Sequence, residues 1–115
     1  MAVSTNAATK KPNYTVKDIE PIMEGAHVQA RMFTLAPGDS IPWHHHSEVT
    51  DHYFVLRGTL SIKTRDPDSD RQLEVGDRYQ IVPGTDHLLA NGGAADCQFL
   101  LLQGGGKYDW IRSEK

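Results

Sequence analysis

Three consecutive histidines, His44, His45 and His46, carry the residue types most suited to chemistry in this chain, and Asp51 follows five residues later. Side chains alternate between faces in an extended strand, so His44 and His46 point to one side and His45 to the other. A strand that returns from Asp51 would bring a carboxylate beside the pair. Neutral imidazole and carboxylate are the usual ligands of borderline divalent metals. The window therefore predicts a metal site.

A further histidine, His87, follows the Pro83-Gly84 turn. The remaining histidines are weaker candidates. His45 and His52 stand next to the proposed ligands and should face away from them, and His27 is isolated. Glu48 could replace Asp51 as the carboxylate if the loop before Asp51 folds back.

Two stretches of the sequence resemble the two motifs of the cupin superfamily. The first motif reads G, five residues, H-x-H, three or four residues, E, six residues, G, and the residues that fall on it are Gly38, His44, His46, Asp51 and Gly58. The second reads G, five residues, P-x-G, two residues, H, three residues, N, and the residues that fall on it are Gly76, Gly84, His87 and Asn91. Two positions depart from the pattern: Asp51 stands for Glu, and Val82 stands for the first proline. The resemblance covers residues 28 to 103 and fits a small single-domain cupin.

The resemblance implies an all-β fold, an antiparallel jelly-roll barrel or double-stranded β-helix, that holds a metal inside. Carried over by position, the ligands would be His44, His46, Asp51 and His87. Asp is one methylene shorter than Glu, whereas metal–oxygen distances tolerate only about 0.2 Å of error. Asp51 therefore either ligates directly or orients a histidine or a bound water. Sites with three histidines alone occur in the superfamily.

The composition indicates one compact domain. The chain has 115 residues, 38% of them hydrophobic, a net charge of -3 and a pI near 6.0. We predict a flexible N-terminal arm over 1–13 and a single barrel domain with a C-terminal tail over 14–115. Without a basic patch or a long apolar stretch, neither nucleic acid nor membrane is an expected partner. No signal peptide is apparent, so we expect a cytoplasmic protein, and the single Cys97 is expected in the core.

Turn signals recur about every ten residues from Ile19 onward, a rhythm typical of all-β proteins. The expected strands cover 27–35, 40–46, 51–56, 59–65, 71–75, 78–82, 86–91 and 96–103. Strand parity puts Tyr53 on the face of Asp51. It also puts Arg31 on the face of Leu35, where it could hold an anionic group of a ligand unless it is solvated. Tyr53 and Arg31 are therefore the candidate catalytic or substrate-orienting residues.

Three classes of function follow. The first is a metal-dependent oxygenase, such as a dioxygenase, acting on a small oxygen-rich or carboxylate substrate. The second is a redox-silent metal-dependent isomerase or lyase, and the third is a non-catalytic barrel that binds a small molecule. The ligand set suits iron, manganese, nickel, cobalt, copper or zinc alike. A barrel this small has apolar outward residues to cover, so we also expect a homodimer.

Overall fold

A computed structural model describes residues 14–113; the arm predicted over 1–13 lies outside the described residues. Ten β-strands make up this part of the chain, namely β1 (Asp18–Glu24), β2 (Val28–Leu35), β3 (Ser40–His45), β4 (Thr50–Arg57), β5 (Leu60–Thr64), β6 (Ser69–Leu73), β7 (Arg78–Ile81), β8 (His87–Ala90), β9 (Cys97–Gly104) and β10 (Ile111–Arg112). Within residues 14–113 there is no helix of the length and apolarity that crossing a membrane needs.

The strands form two five-stranded sheets, in the orders β1-β2-β9-β4-β7 and β10-β3-β8-β5-β6. Every pairing between neighbouring strands is antiparallel. Chain neighbours such as β3 and β4 lie in different sheets, so the chain passes repeatedly from one sheet to the other. This confirms the predicted all-β double-stranded β-helix.

The core lies between the two sheets and follows from side-chain alternation. In β9, Cys97, Phe99, Leu101 and Gln103 are buried, whereas the residues between them are only half-buried. Phe99 stacks on Phe33 of β2 with 5.1 Å between ring centroids. Burying such a large apolar side chain contributes about 1.5–3 kcal/mol. Because β9 ends its inward row with Gln103, the core turns polar at this end of the barrel.

Two strands were not predicted. β1 carries Pro21 and no regular alternation, and six of its seven residues are exposed, so periodicity gives no signal there. β10 has two residues and pairs with β3 through Ile111 and Arg112. The strand expected over 71–75 lies two residues earlier, at Ser69–Leu73, because it pairs with β5 directly after a tight turn.

Gly58, the last glycine of the first motif, is required by the backbone. Its φ is +70°, and a Cβ atom added there would lie 2.5 Å from the carbonyl oxygen of Asp96. Only glycine accepts both the left-handed conformation and this approach. The turn from β4 to β5 therefore packs directly against the start of β9.

Candidate metal centre

Three histidines converge between the sheets. His44 lies near the end of β3, His46 follows that strand directly, and His87 begins β8. One ring nitrogen from each lies within 4.8 Å of the others, and the exposed fractions of the side chains are 3%, 4% and 0%. The structure thus brings together all three histidines that the motifs nominate.

A bulge in β3 places His44 in this group. Ile41 pairs with Leu89 of β8, and His44 pairs with His87, so β3 contains one residue more than β8 between the two pairs. Ile41 and His44 are both buried although they are three positions apart, a spacing that puts side chains on opposite faces of a regular strand. The bulge thus lets an apolar core residue and a polar site residue of one strand face inward together.

Each histidine uses Nδ1 to contact a backbone carbonyl oxygen. The distances are 2.8 Å from His44 to Pro42, 2.5 Å from His46 to Asp109 and 2.8 Å from His87 to Thr85. A carbonyl oxygen only accepts, so Nδ1 must carry the proton in each ring. The neutral imidazole then has its lone pair on Nε2, which is the state that a metal ligand requires.

Asp51 lies beside the histidines and is fully buried. Its Oδ2 lies 3.4 Å from Nε2 of His46 and 3.3 Å from Nε2 of His87. The hydroxyl of Tyr53 donates a hydrogen bond of 2.7 Å to Oδ2, and the amide of Gln103 donates one of 2.9 Å to Oδ1. Asp51 does not belong to the set of mutually close metal-ligand atoms, which contains the three histidines alone.

The pKa values of the two neighbouring histidines His44 and His46 shift in opposite directions. Burial lowers the pKa of His44 to about 2, and the nearby His87 adds to this effect. Burial acts in the same direction on His46, but the hydrogen bond and charge of Asp51 raise the pKa of His46 above its ordinary value. Burial opposes ionisation of Asp51, yet contacts with His46 and His87 hold the pKa of Asp51 well below its usual range. The carboxylate is therefore ionised.

These residues fit a bound cation. Nε2 of His87 is buried and has no hydrogen-bond partner, because its contact with Asp51 lacks the alignment of a hydrogen bond. Three nitrogen lone pairs and an ionised carboxylate thus meet with few donors among them. Buried acceptors without donors are unfavourable, and a divalent ion compensates for them.

Arg31 lines a cavity that the side chains of His44, His46 and Asp51 also line. Its Nη2 donates a hydrogen bond of 2.7 Å to Oε1 of Gln103, which also accepts one of 2.9 Å from the amide of Gln29. Because Oε1 accepts twice, the Gln103 amide must turn its nitrogen towards Asp51. Gln103 thus links the Arg31 guanidinium to the buried carboxylate.

Aromatic residues from both ends of the described range 14–113 cover the mouth of the site. The ring of Trp110 stacks on His44 with 4.8 Å between centroids and 21° between planes, and Tyr108 lies 5.5 Å from His46. Tyr14 packs on Trp110 from the other end of the described chain, at 5.6 Å. The cavity that these residues line has a volume of about 10 Å³, close to the minimum for one water molecule.

The C-terminal segment 105–113 is fixed mainly by polar contacts. Asp109 accepts hydrogen bonds from the backbone N–H and the hydroxyl of Ser47. Lys107 donates its backbone N–H to Glu48. At Ser113 the hydroxyl donates to Asp86, and the backbone N–H donates to the carbonyl oxygen of Trp43.

The cupin domain model matches residues 31–103, more than half of the chain. The chain belongs to the cupin family. The comparison with curated protein sequences gives no significant match.

Solved structures are similar to this cupin in fold. A conserved protein with a double-stranded β-helix domain from Klebsiella pneumoniae has a TM-score of 0.72 and 24% identity, with 84% of this chain and 86% of that chain covered. KdgF from Halomonas sp. has a TM-score of 0.69 and 16% identity over 77% of this chain and 80% of that chain. An oxalate oxidase has a TM-score of 0.68 and 20% identity, but the match covers 75% of this cupin and only 46% of that chain.

Of the candidate orienting residues, the structure places Tyr53 against Asp51 and Arg31 in the cavity wall. The other three histidines, His27, His45 and His52, do not contribute to the centre. His45 is half-buried on the opposite side of β3, where Nδ1 lies 3.1 Å from Oδ1 of Asp86. His52 is half-buried, His27 is exposed, and the carboxylate of Glu48 is engaged by Lys107.

Sequence reasoning missed four residues of this cupin's site: Tyr14, Gln103, Tyr108 and Trp110. Of these four, only Gln103 has a feature that the sequence could have shown: it is the one polar residue in the buried row of β9, which is otherwise apolar. The other three come from segments next to the chain ends that match neither motif.

Proposed function

We propose that this cupin binds a divalent metal through His44, His46 and His87 and acts as a metal-dependent oxygenase on a small oxygen-rich or carboxylate substrate. One observation carries the metal centre: three buried Nε2 lone pairs converge because every Nδ1 is committed to a backbone carbonyl oxygen. When bound, a redox-active ion such as iron(II) would supply Lewis acidity and an open position for an oxyanion or dioxygen.

In this proposal the residues around the metal have different roles. The three neutral imidazoles leave the charge of the ion intact. Asp51 supplies a negative charge beside Nε2 of His46 and of His87, as a neighbouring carboxylate rather than as a ligand, since it lies outside the mutually close set. Burial and the adjacent Asp51 raise the pKa of Tyr53 well above its ordinary value, so its hydroxyl keeps its proton and continues to donate. Tyr108 and Trp110 exclude bulk water from the centre.

Two observations support a small carboxylate as the substrate. The space beside the histidines is small, and Arg31 provides a cation in its wall. An enzyme of similar fold is named an oxalate oxidase, which denotes oxidation of a small carboxylate. Because that name denotes oxidation, we place oxygenation ahead of isomerisation or elimination.

The test begins with elemental analysis of protein purified without chelators. Oxygen uptake is then measured with iron(II) against catechols, diketones and small carboxylates. We expect near-stoichiometric metal and uptake with at least one substrate, and both should be lost in His87→Ala but kept in His45→Ala. A metal content below about a tenth of stoichiometry would sink the proposal. Metal without oxygen uptake would leave the redox-silent enzyme or the binding barrel.

We also propose that the protein forms a homodimer. The outer face of the sheet that contains β2, β9 and β4 carries a cross-strand row of half-buried apolar residues, Met32, Leu100 and Phe54. Such a row pairs well with a copy of itself around a twofold axis. Light scattering during gel filtration should give twice the chain mass, and Leu100→Glu should give a folded monomer. A wild-type monomer would contradict the proposal.

A further inference from the structure

The guanidinium group of Arg31 lines the cavity, and its charge has no ion-pair partner among the described residues. Its Nε is buried and has no hydrogen-bond partner within residues 14–113. The salt bridges of that part of the chain do not include Arg31. Arg31 as a whole is half-buried, and withdrawing part of a guanidinium from water is costly unless an anion or several hydrogen bonds compensate for it. The orphan Nε therefore indicates a missing partner.

Fixed groups hold the guanidinium from several sides. Nη2 donates to Gln103, and the central carbon lies 5.1 Å from the Phe33 ring centroid and 5.3 Å from that of Tyr108. Burial raises the pKa of Tyr108, although the nearby Arg31 opposes the shift. The guanidinium is thus pre-positioned by its neighbours and retains unused N–H donors.

Charge selects the class of ligand. Arg31 lines the same cavity as His44, His46 and Asp51. A divalent ion on three neutral imidazoles would outweigh the single negative charge of Asp51, and Arg31 would add to the excess of positive charge. A ligand in this space is favoured if it is anionic. The planar fork of arginine donors matches the two oxygens of a carboxylate.

We propose that Arg31 is a ligand-binding residue that holds the carboxylate of a small monoanion beside the histidine centre. The inference deepens the proposed function and rests on it for the neighbouring metal, but the pairing of Arg31 with a carboxylate does not require the metal. The cavity volume of about 10 Å³ holds only about one water molecule. A carboxylate is larger than a water molecule, so a side chain of the cavity wall must shift when the carboxylate enters.

The experiment compares acetate with acetamide, a neutral molecule of nearly the same shape. Both are titrated at pH 7.5 and constant ionic strength into the zinc-loaded and the metal-free protein. Binding is followed by NMR at the indole N–H groups of Trp110, beside the site, and of Trp43, outside the cavity lining. The variants are Arg31→Gln, Arg31→Lys and the matched control Arg71→Gln, which removes another arginine that lies over an aromatic ring, 5.3 Å from that of Tyr79.

Acetate should shift the Trp110 signal and leave that of Trp43 unchanged, and acetamide should bind at least about tenfold more weakly. Arg31→Gln should weaken acetate binding by about tenfold or more in both forms of the protein, as loss of a charge-assisted hydrogen bond implies. Arg31→Lys should lose less, and Arg71→Gln nothing. The zinc content should stay the same in all variants.

Equal acetate affinity in wild type and Arg31→Gln would overturn the inference, as would equal binding of acetate and acetamide. If the protein bound no metal but still held acetate through Arg31, the proposed function would fail and the carboxylate site would stand. If it bound metal but no acetate in either form, the carboxylate site would fail and the metal centre would stand.

Discussion

Oδ2 of Asp51 lies 3.3 Å from Nε2 of His87, and the two atoms form no hydrogen bond. Nδ1 of His87 donates to the carbonyl oxygen of Thr85, so Nε2 of the neutral ring has a lone pair and no proton. Two acceptors therefore face each other in a buried site. This contact is unfavourable unless a cation lies next to both atoms.

Removal of a histidine ligand should abolish metal binding. His46→Ala or His87→Ala deletes one of three converging Nε2 atoms, and we expect metal content below about a fifth of the wild-type value by elemental analysis. The double variant His45→Ala/His52→Ala should keep wild-type content, because both side chains lie away from the centre. A large fall in that double variant would refute the assignment of faces.

Removal of Asp51 should have a smaller effect. Asp51→Ala leaves all three histidine nitrogens in place, but it removes the carboxylate that contacts His46 and His87. Loss of such an orienting group typically weakens metal binding by about 10–100-fold. Competition with a chelating dye measures the change. A loss as complete as that of His87→Ala would identify Asp51 as a direct ligand.

The motifs predicted most of the architecture and three of the site residues, because both depend on local spacing. His44 and His46 are two residues apart in one chain segment, so strand alternation alone fixes their common face. His87 sits opposite His44 only through strand pairing, which the resemblance to the family supplied and the histidine pattern did not.

The site residues that the sequence did not predict are positioned by contacts between residues far apart in the chain. Gln103 is 52 residues from Asp51, and Trp110 is brought over His44 by a strand of two residues. Neither residue lies in a motif or in a periodic pattern that distinguishes it. Strand parity put Arg31 on the face of Leu35 without deciding whether that face looks inward, and its contact with Gln103 required the register of β2 and β9.

Acid should destabilise the metal-free protein. The pKa of His44 falls from 6.5 to about 2 on folding, so between these values the unfolded chain binds a proton that the folded chain does not. Stability then decreases by up to about 1.4 kcal/mol per pH unit as the pH falls. The lowered pKa of Asp51 extends the loss below about pH 4. Because the pKa of His46 is raised, its contribution is present below pH 6.5 and is lost as the pH rises through its folded value.

Urea unfolding of metal-free protein between pH 5 and 8 checks these signs. We expect the free energy of unfolding to be greatest near pH 6.5. In His44→Gln the decline between pH 6 and 5 should become shallower than in the wild type. An unchanged slope in His44→Gln would contradict the assignment.

Gly58→Ala should destabilise the barrel. The new methyl group would meet the carbonyl oxygen of Asp96 at 2.5 Å, and the backbone at φ +70° is unfavourable for alanine. We expect a loss of about 1–3 kcal/mol in thermal or urea unfolding. Gly92→Ala is the matched control, since an added Cβ atom there has open space. Equal stability of the two variants would mean that the β4–β5 turn can shift away from β9.

Trp110 should control access to the metal centre. Its ring covers His44, and the segment that carries it is fixed by a two-residue strand and by exposed polar contacts. Such a segment opens more readily than the strands of the core. In Trp110→Ala we expect a chelator in excess to remove bound metal several-fold faster than in the wild type. The matched control is Trp43→Ala, because Trp43 stacks instead on Arg65, with 3.7 Å between the guanidinium carbon and the ring centroid. If the two tryptophan variants released metal at the same rate, the Trp110 ring would not be the barrier, because of the two tryptophans only Trp110 stacks on a histidine of the centre.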